Sequence, residues 1–312
     1  MITLVLGTVS DAHAAHIHRA LEAAGQEVYY WDTSRMPSQM QLTWEPARGH
    51  GVMTLPTGKC LTAAEVSSVY WRQLLDARVP NGGNAYPHHI AVNDTMGLLR
   101  TWLQIDSIRW INSWSAFQFH REKPRQLATV HQLGVRIPAT LVSNCPGQIQ
   151  AFAQRYDQLI FKPVYGGAHT QFVTDKHLQS ERLHNVLKLS PVTIQAYVPG
   201  TNIRTYVMGD EVYSAEIQSP DLDFRTDAAA HLIPHSLPED IVEQSRQIAR
   251  ALLLTWTAID WRLTPGEDYT FLEANPSPMF LHFEKVTGFP ISQKLVELLL
   301  SPSPMGQSLT PG

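Results

Sequence analysis

Residues 2–6 are all apolar or small and are followed at once by Gly7, Ser10 and Asp11, so they read as a buried strand. Ser10 is placed to cap a helix running through Ala24 with Gly25 as its stop, and residues 27–31 form the next apolar run. That is a strand-helix-strand opening, the signature of an α/β fold. Between residues 42 and 71, short alternating stretches surround His50-Gly51 and Thr57-Gly58, which predicts a hairpin before a strand at 68–72. Pro80, Gly82, Gly83 and Pro87 mark residues 76–89 as a loop, a helix follows through Leu103, and residues 109–112 form another short buried strand.

The texture then changes. Leu127, Val130 and Leu133 share one face of a helix that ends at Gly134, and Ile137-Pro138 introduces a strand through Val142. Residues 158–164 form a strand that runs into the glycine turn Tyr165-Gly166-Gly167-Ala168. Strands at 203–208 and 211–217 flank Gly209-Asp210, a two-residue hairpin turn. Ser236-Leu237-Pro238-Glu239 has the form of a capping box, opening an amphipathic helix whose inward face is Ile241, Ser245, Ile248, Ala249 and Leu252. Three prolines and two glycines mark residues 301–312 as a loose tail.

Composition narrows the class. At 312 residues with 44% hydrophobic content, the chain is long enough for two or three packed subdomains. A formal charge of -4 with mixed signs supplies no basic field for nucleic acid and no basic arm for an anionic membrane. The opening apolar run is too short for a signal-peptide core or a span. Two distant cysteines, Cys60 and Cys145, form neither a metal knuckle nor a disulfide framework and point to a reducing, cytoplasmic compartment.

The sharpest chemical constellation is AIDWRLTPGEDYTFLEANP at 258–276. A four-residue loop at 265–268 would set Leu263 opposite Thr270 and Asp260 opposite Glu273, and Asn275 would share the face of Glu273. Three hard oxygen donors of this kind suit Mg²⁺, which takes few protein ligands and fills its other positions with water and phosphate oxygens. As ordinary edge carboxylates, Asp260 and Glu273 would sit oddly inside apolar runs, where an unpaired charge is costly. Upstream, Lys162 ends an apolar strand just before the glycine turn, so an ammonium and a backbone cradle face one place. Lys123 opens the earlier helix, TIQAYVPG at 193–200 is a strand ending in a Pro-Gly turn, and Arg204 and Arg225 follow. Arginines so placed can clamp a transferring phosphoryl group, although Arg225 would equally pair with Asp221 or Asp223.

Each of these features is weak alone; their order is not. The segment from about residue 120 to 296 resembles an ATP-grasp catalytic unit. The succession KP, QL, FKPVYGG, QAYVPG, NIR, DFR, ID and FLEANPS is similar to the branch that holds ribosomal-protein glutamate ligases and microviridin-type (graspetide) peptide cyclases. In the front third, WDTSRMPSQMQLTW, TLPTGKCL and VYWRQ resemble the pre-grasp domain of those cyclases. The resemblance implies an α/β ATP-grasp fold with a pre-grasp domain at 1–118, a central lobe at 119–194 and a C-terminal lobe at 195–300. It implies ATP and Mg²⁺ as cofactors, with Lys123, Lys162, Gly166 and Gly167 at the phosphates and Gln195, Ala196, Tyr197 and Val198 at the adenine. Arg204 and Arg225 would stand near the phosphoryl group, and Asp260, Glu273 and Asn275 on the metal. A lid around residues 165–170 would exclude water. The chain departs from the cyclases in two places: Ser277-Pro278-Met279 follows Asn275-Pro276 where the family has x-Gly-Gln, and Ala196 stands where the hinge often carries an acid.

The implied activity is an ATP-dependent ligase that activates a carboxylate as an acyl phosphate and joins it to an amine or hydroxyl of a precursor peptide. A ligase for free amino acids or another small carboxylate or amine is the alternative, and a nucleotide-binding regulator without turnover is the alternative of another class. The resemblance allows a homodimer. Three other features are expected to be structural: His13, His16 and His18 on an exposed helix, His88-His89 in a loop, and Trp71, Trp102 and Trp110 in the core.

Overall fold

The opening apolar run Ile2–Leu6 is β1, buried at all five positions, as a strand covered on both faces must be. A computed structural model describes residues 2–81, 87–165, 169–219 and 230–301. The chain forms two units, one of residues 1–114, 279–284 and 290–312, the other of residues 115–278 and 285–289. Among the described residues no helix is long and apolar enough to cross a membrane.

In the first unit, β1 joins β2 (Glu27–Trp31), while β3 (Gln41–Glu45), β4 (His50–Thr54) and β5 (Cys60–Thr62) form a separate antiparallel sheet. β6 (Val66–Trp71) and β7 (Arg109–Ile111) complete a parallel sheet of order β2-β1-β6-β7. Helix Ala12–Ala23 links β1 to β2, and its cap is Asp11, whose carboxylate accepts the Ala14 N–H at 2.8 Å. The expected cap, Ser10, instead bonds Thr8. Asp11 wins because Arg72 also holds its carboxylate, at 3.0 Å. The histidines of this helix are not an exposed row. His13 is buried, its Nδ1 accepts the Phe280 N–H, and His16 bonds Ser292. His88 and His89 open the helix His88–Trp102 rather than ending the loop, since Pro87 supplies the break. Trp71 and Trp102 are fully buried, and Trp110 is partly exposed.

The second unit carries two antiparallel sheets. The smaller, of order β10-β9-β11-β8, contains β8 (Thr140–Ser143), β9 (Leu159–Lys162), β10 (Gln171–Phe172) and β11 (Val192–Ala196). Ile149, Phe152, Leu183 and Leu187 of its helices pack on Leu159 and Ile194. The larger sheet, of order β14-β13-β12-β15-β16, contains β12 (Thr201–Met208), β13 (Glu211–Gln218), β14 (His231–Pro234), β15 (Trp256–Leu263) and β16 (Tyr269–Asn275). Met208 faces Glu211 across Gly209-Asp210, as the two-residue turn requires. Helix Glu239–Ala251 buries Ile241, Ser245, Ile248 and Ala249 against this sheet; Pro238 stands at its N-cap and Ser236 makes no capping bond there.

Between β11 and β12 the chain passes through Pro199-Gly200 and presses on the end of β15. Gly200 has φ +138°, and a Cβ there would lie 2.0 Å from the Leu263 carbonyl oxygen. Neither the backbone angle nor the space admits a side chain. Gly200→Ala is expected to lower stability by roughly 2 kcal/mol or more. Chemical denaturation checks this, and a wild-type midpoint would rule out the close approach.

Candidate active site

Three adjacent strands of the larger sheet bring charged residues into one row. Arg204 on β12 pairs with Asp260 on β15, and Asp260 pairs with Glu273 on β16. Directly opposed residues of an antiparallel ladder project from the same face, so the three side chains lie side by side. The hairpin does not reach this register as simple turn counting suggests. Leu263 faces Tyr269 rather than Thr270, one step off, and a bulge between Asp260 and Trp261 restores the pairing of Asp260 with Glu273. The extra residue on β16 is Leu272. In a strict period of two, burying Phe271 would bury Glu273 as well. The bulge lets Phe271 and Ala274 both enter the core while Glu273 and Asn275 take the other face.

The acid pair is matched by two cations. Arg204 donates through Nε and Nη2 to the two oxygens of Asp260, both at 2.9 Å, a bidentate fork. Burial would push the Arg204 guanidinium down, but the charge and hydrogen bonds of Asp260 hold it above the usual arginine value. Lys123, at the start of the helix Lys123–Gln132, donates to Glu273. All four side chains are less than a third exposed. Beside them, burial, reinforced by the Lys123 charge, lowers the His120 pKa below its usual range and favours the neutral ring.

Lys123, Lys162, Thr193, Gln195, Leu272 and Glu273 line one narrow cavity of ≈ 40 Å³. Lys162 stands opposite Thr193 on the small sheet, and the Gln195 amide is tied to Thr140 Oγ1 at 2.8 Å. Along the segment where the resemblance implies the adenine, the Ala196 N–H donates to Ala139 O and the Tyr197 N–H to Gln158 O, both at 2.9 Å. Those two donors are therefore engaged with neighbouring strands. Asn275 stands on the face of Glu273, and its Oδ1 accepts the Ser277 N–H at 2.9 Å. Residues 166–168 of the expected lid, with Gly166 and Gly167 among them, and Arg225 lie outside the described residues, as does the tail beyond Ser301. Among the described residues no three His, Cys, Asp or Glu side chains gather as a metal cluster. What is gathered is a pair of carboxylates with an amide on the same face, a hard-oxygen set that fits Mg²⁺ sharing its shell with water and phosphate.

A model of the RimK-like ATP-grasp domain matches residues 120–299, more than half of the chain. The chain belongs to the RimK-like ATP-grasp family. Among solved structures, the macrocyclase MdnC of Microcystis aeruginosa MRC, bound with precursor peptide MdnA, is 25% identical with a TM-score of 0.83, covering 96% of this chain and 99% of that one. The ATP-grasp ligase PsnB, complexed with minimal precursor, Mg and ADP, is 26% identical with a TM-score of 0.80, covering 96% of each chain. A RiPP-associated ATP-grasp ligase of Chryseobacterium gregarium has the same fold, with a TM-score of 0.81 at 23% identity, covering 96% of each chain. No curated protein matches the sequence.

One supporting residue of this RimK-like ATP-grasp unit carries no chemistry that its residue type alone discloses. Gln126 is buried, donates to Ala274 O at 3.0 Å and accepts the Ala274 N–H at 2.9 Å. Its amide substitutes for a neighbouring strand along the outer edge of β16, next to Glu273. The QL pair of the motif marked the position, but a glutamine in a helix reads as a surface residue until the edge it covers is known. Gln126→Met keeps the volume, strands the Ala274 N–H and leaves the Ala274 carbonyl with only the His120 ring. We expect a loss of about 2 kcal/mol in urea unfolding, because buried unpaired backbone groups cost ~1–3 kcal/mol each. A loss below about 0.5 kcal/mol would show that β16 does not need the clamp.

Proposed function

We propose that this ATP-grasp protein is an ATP-dependent ligase acting on a ribosomal precursor peptide, in which it joins side-chain carboxylates to Lys, Ser or Thr side chains. The reading is carried by the row Lys123, Glu273, Asp260 and Arg204, with Lys123 and Glu273 lining the same cavity as Lys162. Support for a peptide substrate comes from the end-to-end likeness to MdnC and PsnB, both described with precursor peptide.

Two anions are held here by two cations, and nucleotide binding would exchange the Lys123 partner of Glu273. In the proposed complex, Lys123 and Lys162 hold ATP phosphates, Gln195 to Val198 line the adenine, and Arg204 stands beside the transferring group. Asp260, Glu273 and Asn275 would hold Mg²⁺, which supplies charge neutralisation for the phosphate oxygens. A substrate carboxylate oxygen attacks the γ-phosphorus and ADP departs, leaving an acyl phosphate. An amine or hydroxyl then attacks the acyl carbon, loses its proton, and phosphate departs. No covalent enzyme intermediate is required, since the work is positioning and electrostatics. We place this reaction in the cytoplasm, where ATP is available; Cys60 and Cys145 are both free and exposed.

The test is mass spectrometry of an acid- and hydroxyl-rich peptide encoded beside the gene, incubated with ATP and Mg²⁺. Loss of one water per closed ring is expected, and Glu273→Gln should lower kcat on the order of a hundredfold or more. ADP release with free amino acids but never with peptide would replace the substrate; full activity of the variant would reject the metal assignment.

A further inference from the structure

The four residues between β11 and β12, Tyr197 to Gly200, are tied to the small sheet at one end by the Tyr197 N–H. From the large sheet, one side chain reaches back to them. Arg262 on β15 donates through Nε to Val198 O at 3.0 Å, through Nη2 to Tyr197 Oη at 2.9 Å, and through Nη1 to Asn202 Oδ1 at 2.7 Å. Its guanidinium carbon lies 5.5 Å from the centroid of the Tyr197 ring, which Phe172 meets edge-on from another side. Arg262 is only 8% exposed.

All three acceptors are uncharged. A guanidinium buried on neutral oxygens, with no counter-ion among the described residues, is a costly way to fix a strand end. What it fixes is a backbone segment. Arg262 holds the Val198 carbonyl, and the following proline, Pro199, has a restricted φ, so the Val198 peptide has little freedom. The Val198 N–H has no partner among the described residues. A fixed backbone donor discriminates between purines, since N1 is an acceptor in adenine and carries a hydrogen in guanine. Lysine could replace the arginine only in part, because a single ammonium lacks the planar fork that meets three separated acceptors.

We propose that Arg262 is a positioning residue for the nucleotide: by clamping Tyr197 and Val198 it sets the affinity for ATP and the preference for adenine over guanine. This rests on the placement of the adenine at residues 195–198. Amide exchange of the wild-type protein with and without MgADP tests that placement separately. Slowed exchange at Tyr197 and Val198 supports it, whereas protection confined to other segments removes the basis of the proposal.

With the placement supported, calorimetric titration with MgADP and the ratio of kcat/KM for ATP and GTP read the clamp. Arg262→Gln is expected to weaken MgADP about tenfold, one lost charged hydrogen-bond network, and to reduce the ATP preference by a similar factor. Tyr197→Phe removes one acceptor and leaves the fold intact, with a loss of about threefold expected. Arg262→Lys should recover part of the loss, and KM for the peptide should stay within about twofold throughout, because only the nucleotide end is altered. A lowered melting temperature in Arg262→Gln with unchanged MgADP affinity and ATP-to-GTP ratio in all three variants would make Arg262 a structural residue and overturn the proposal.

Discussion

Two carboxylates on adjacent strands, Asp260 and Glu273, stand directly opposite one another with little exposure to water. At a separation of about 5 Å and an effective dielectric near 20, such a pair repels by roughly 3 kcal/mol. The repulsion must be met by cations, and the placement of Lys123 and Arg204 follows from it. A bidentate guanidinium at about 4 Å returns roughly 4 kcal/mol on the same scale, so one arginine outweighs the clash and a lysine on the other acid makes the row favourable. The arrangement also explains the direction of the Arg204 shift: burial opposes the charge, and the neighbouring carboxylate prevails.

Holding those acids in register demands more of β16 than a regular strand provides. Its core face must take Phe271 and Ala274, three residues apart, and its site face Glu273 and Asn275. Only an inserted residue reconciles the two, and Leu272 is that residue. The bulge loosens the ladder at the same place, and β16 is an edge strand with no further partner in its sheet. The Gln126 amide on Ala274 and the Phe271 N–H on Arg136 O supply the missing bonds. Lys123 lies three residues before Gln126 on the same helix, so one element both closes the edge and delivers the cation.

Much of this was visible in the sequence because period and turn chemistry are local. The alternation in FLEAN, the Gly209-Asp210 turn and the buried run Ile2–Leu6 each specify their own element. The pairing of Asp260 with Glu273 was reached by counting across the loop, yet the loop is one residue shorter than counted and the residue added by the bulge makes up the difference. Features decided by distant partners were not legible. Asp11 rather than Ser10 caps its helix because of Arg72, sixty-one positions away. His13 is buried because Phe280 arrives from the far end of the chain to bond it. Nothing near Arg262 in sequence announces that its acceptors are at Tyr197 and Val198.

The charged row also constrains how a ligand can enter. Lys123 and Glu273 already satisfy one another, and the cavity they line is far smaller than the ~300 Å³ at the lower end for small-molecule sites. A polyphosphate that recruits Lys123 would take it from Glu273, and that carboxylate, still beside Asp260, would lose its lysine unless a second cation arrived with the ligand. Nucleotide without a divalent ion therefore loses on Glu273 what it gains on Lys123. On the proposed assignment, a metal-bound nucleotide would make both exchanges at once and so couple the phosphate and metal sites through a single ion pair. Arg204 differs, because its two bonds to Asp260 fix a planar fork that a simple lysine pair does not. The mobile partner in the exchange is thus Lys123, at the start of its helix, while Arg204 and Asp260 form the fixed side against which a transferring group would be aligned.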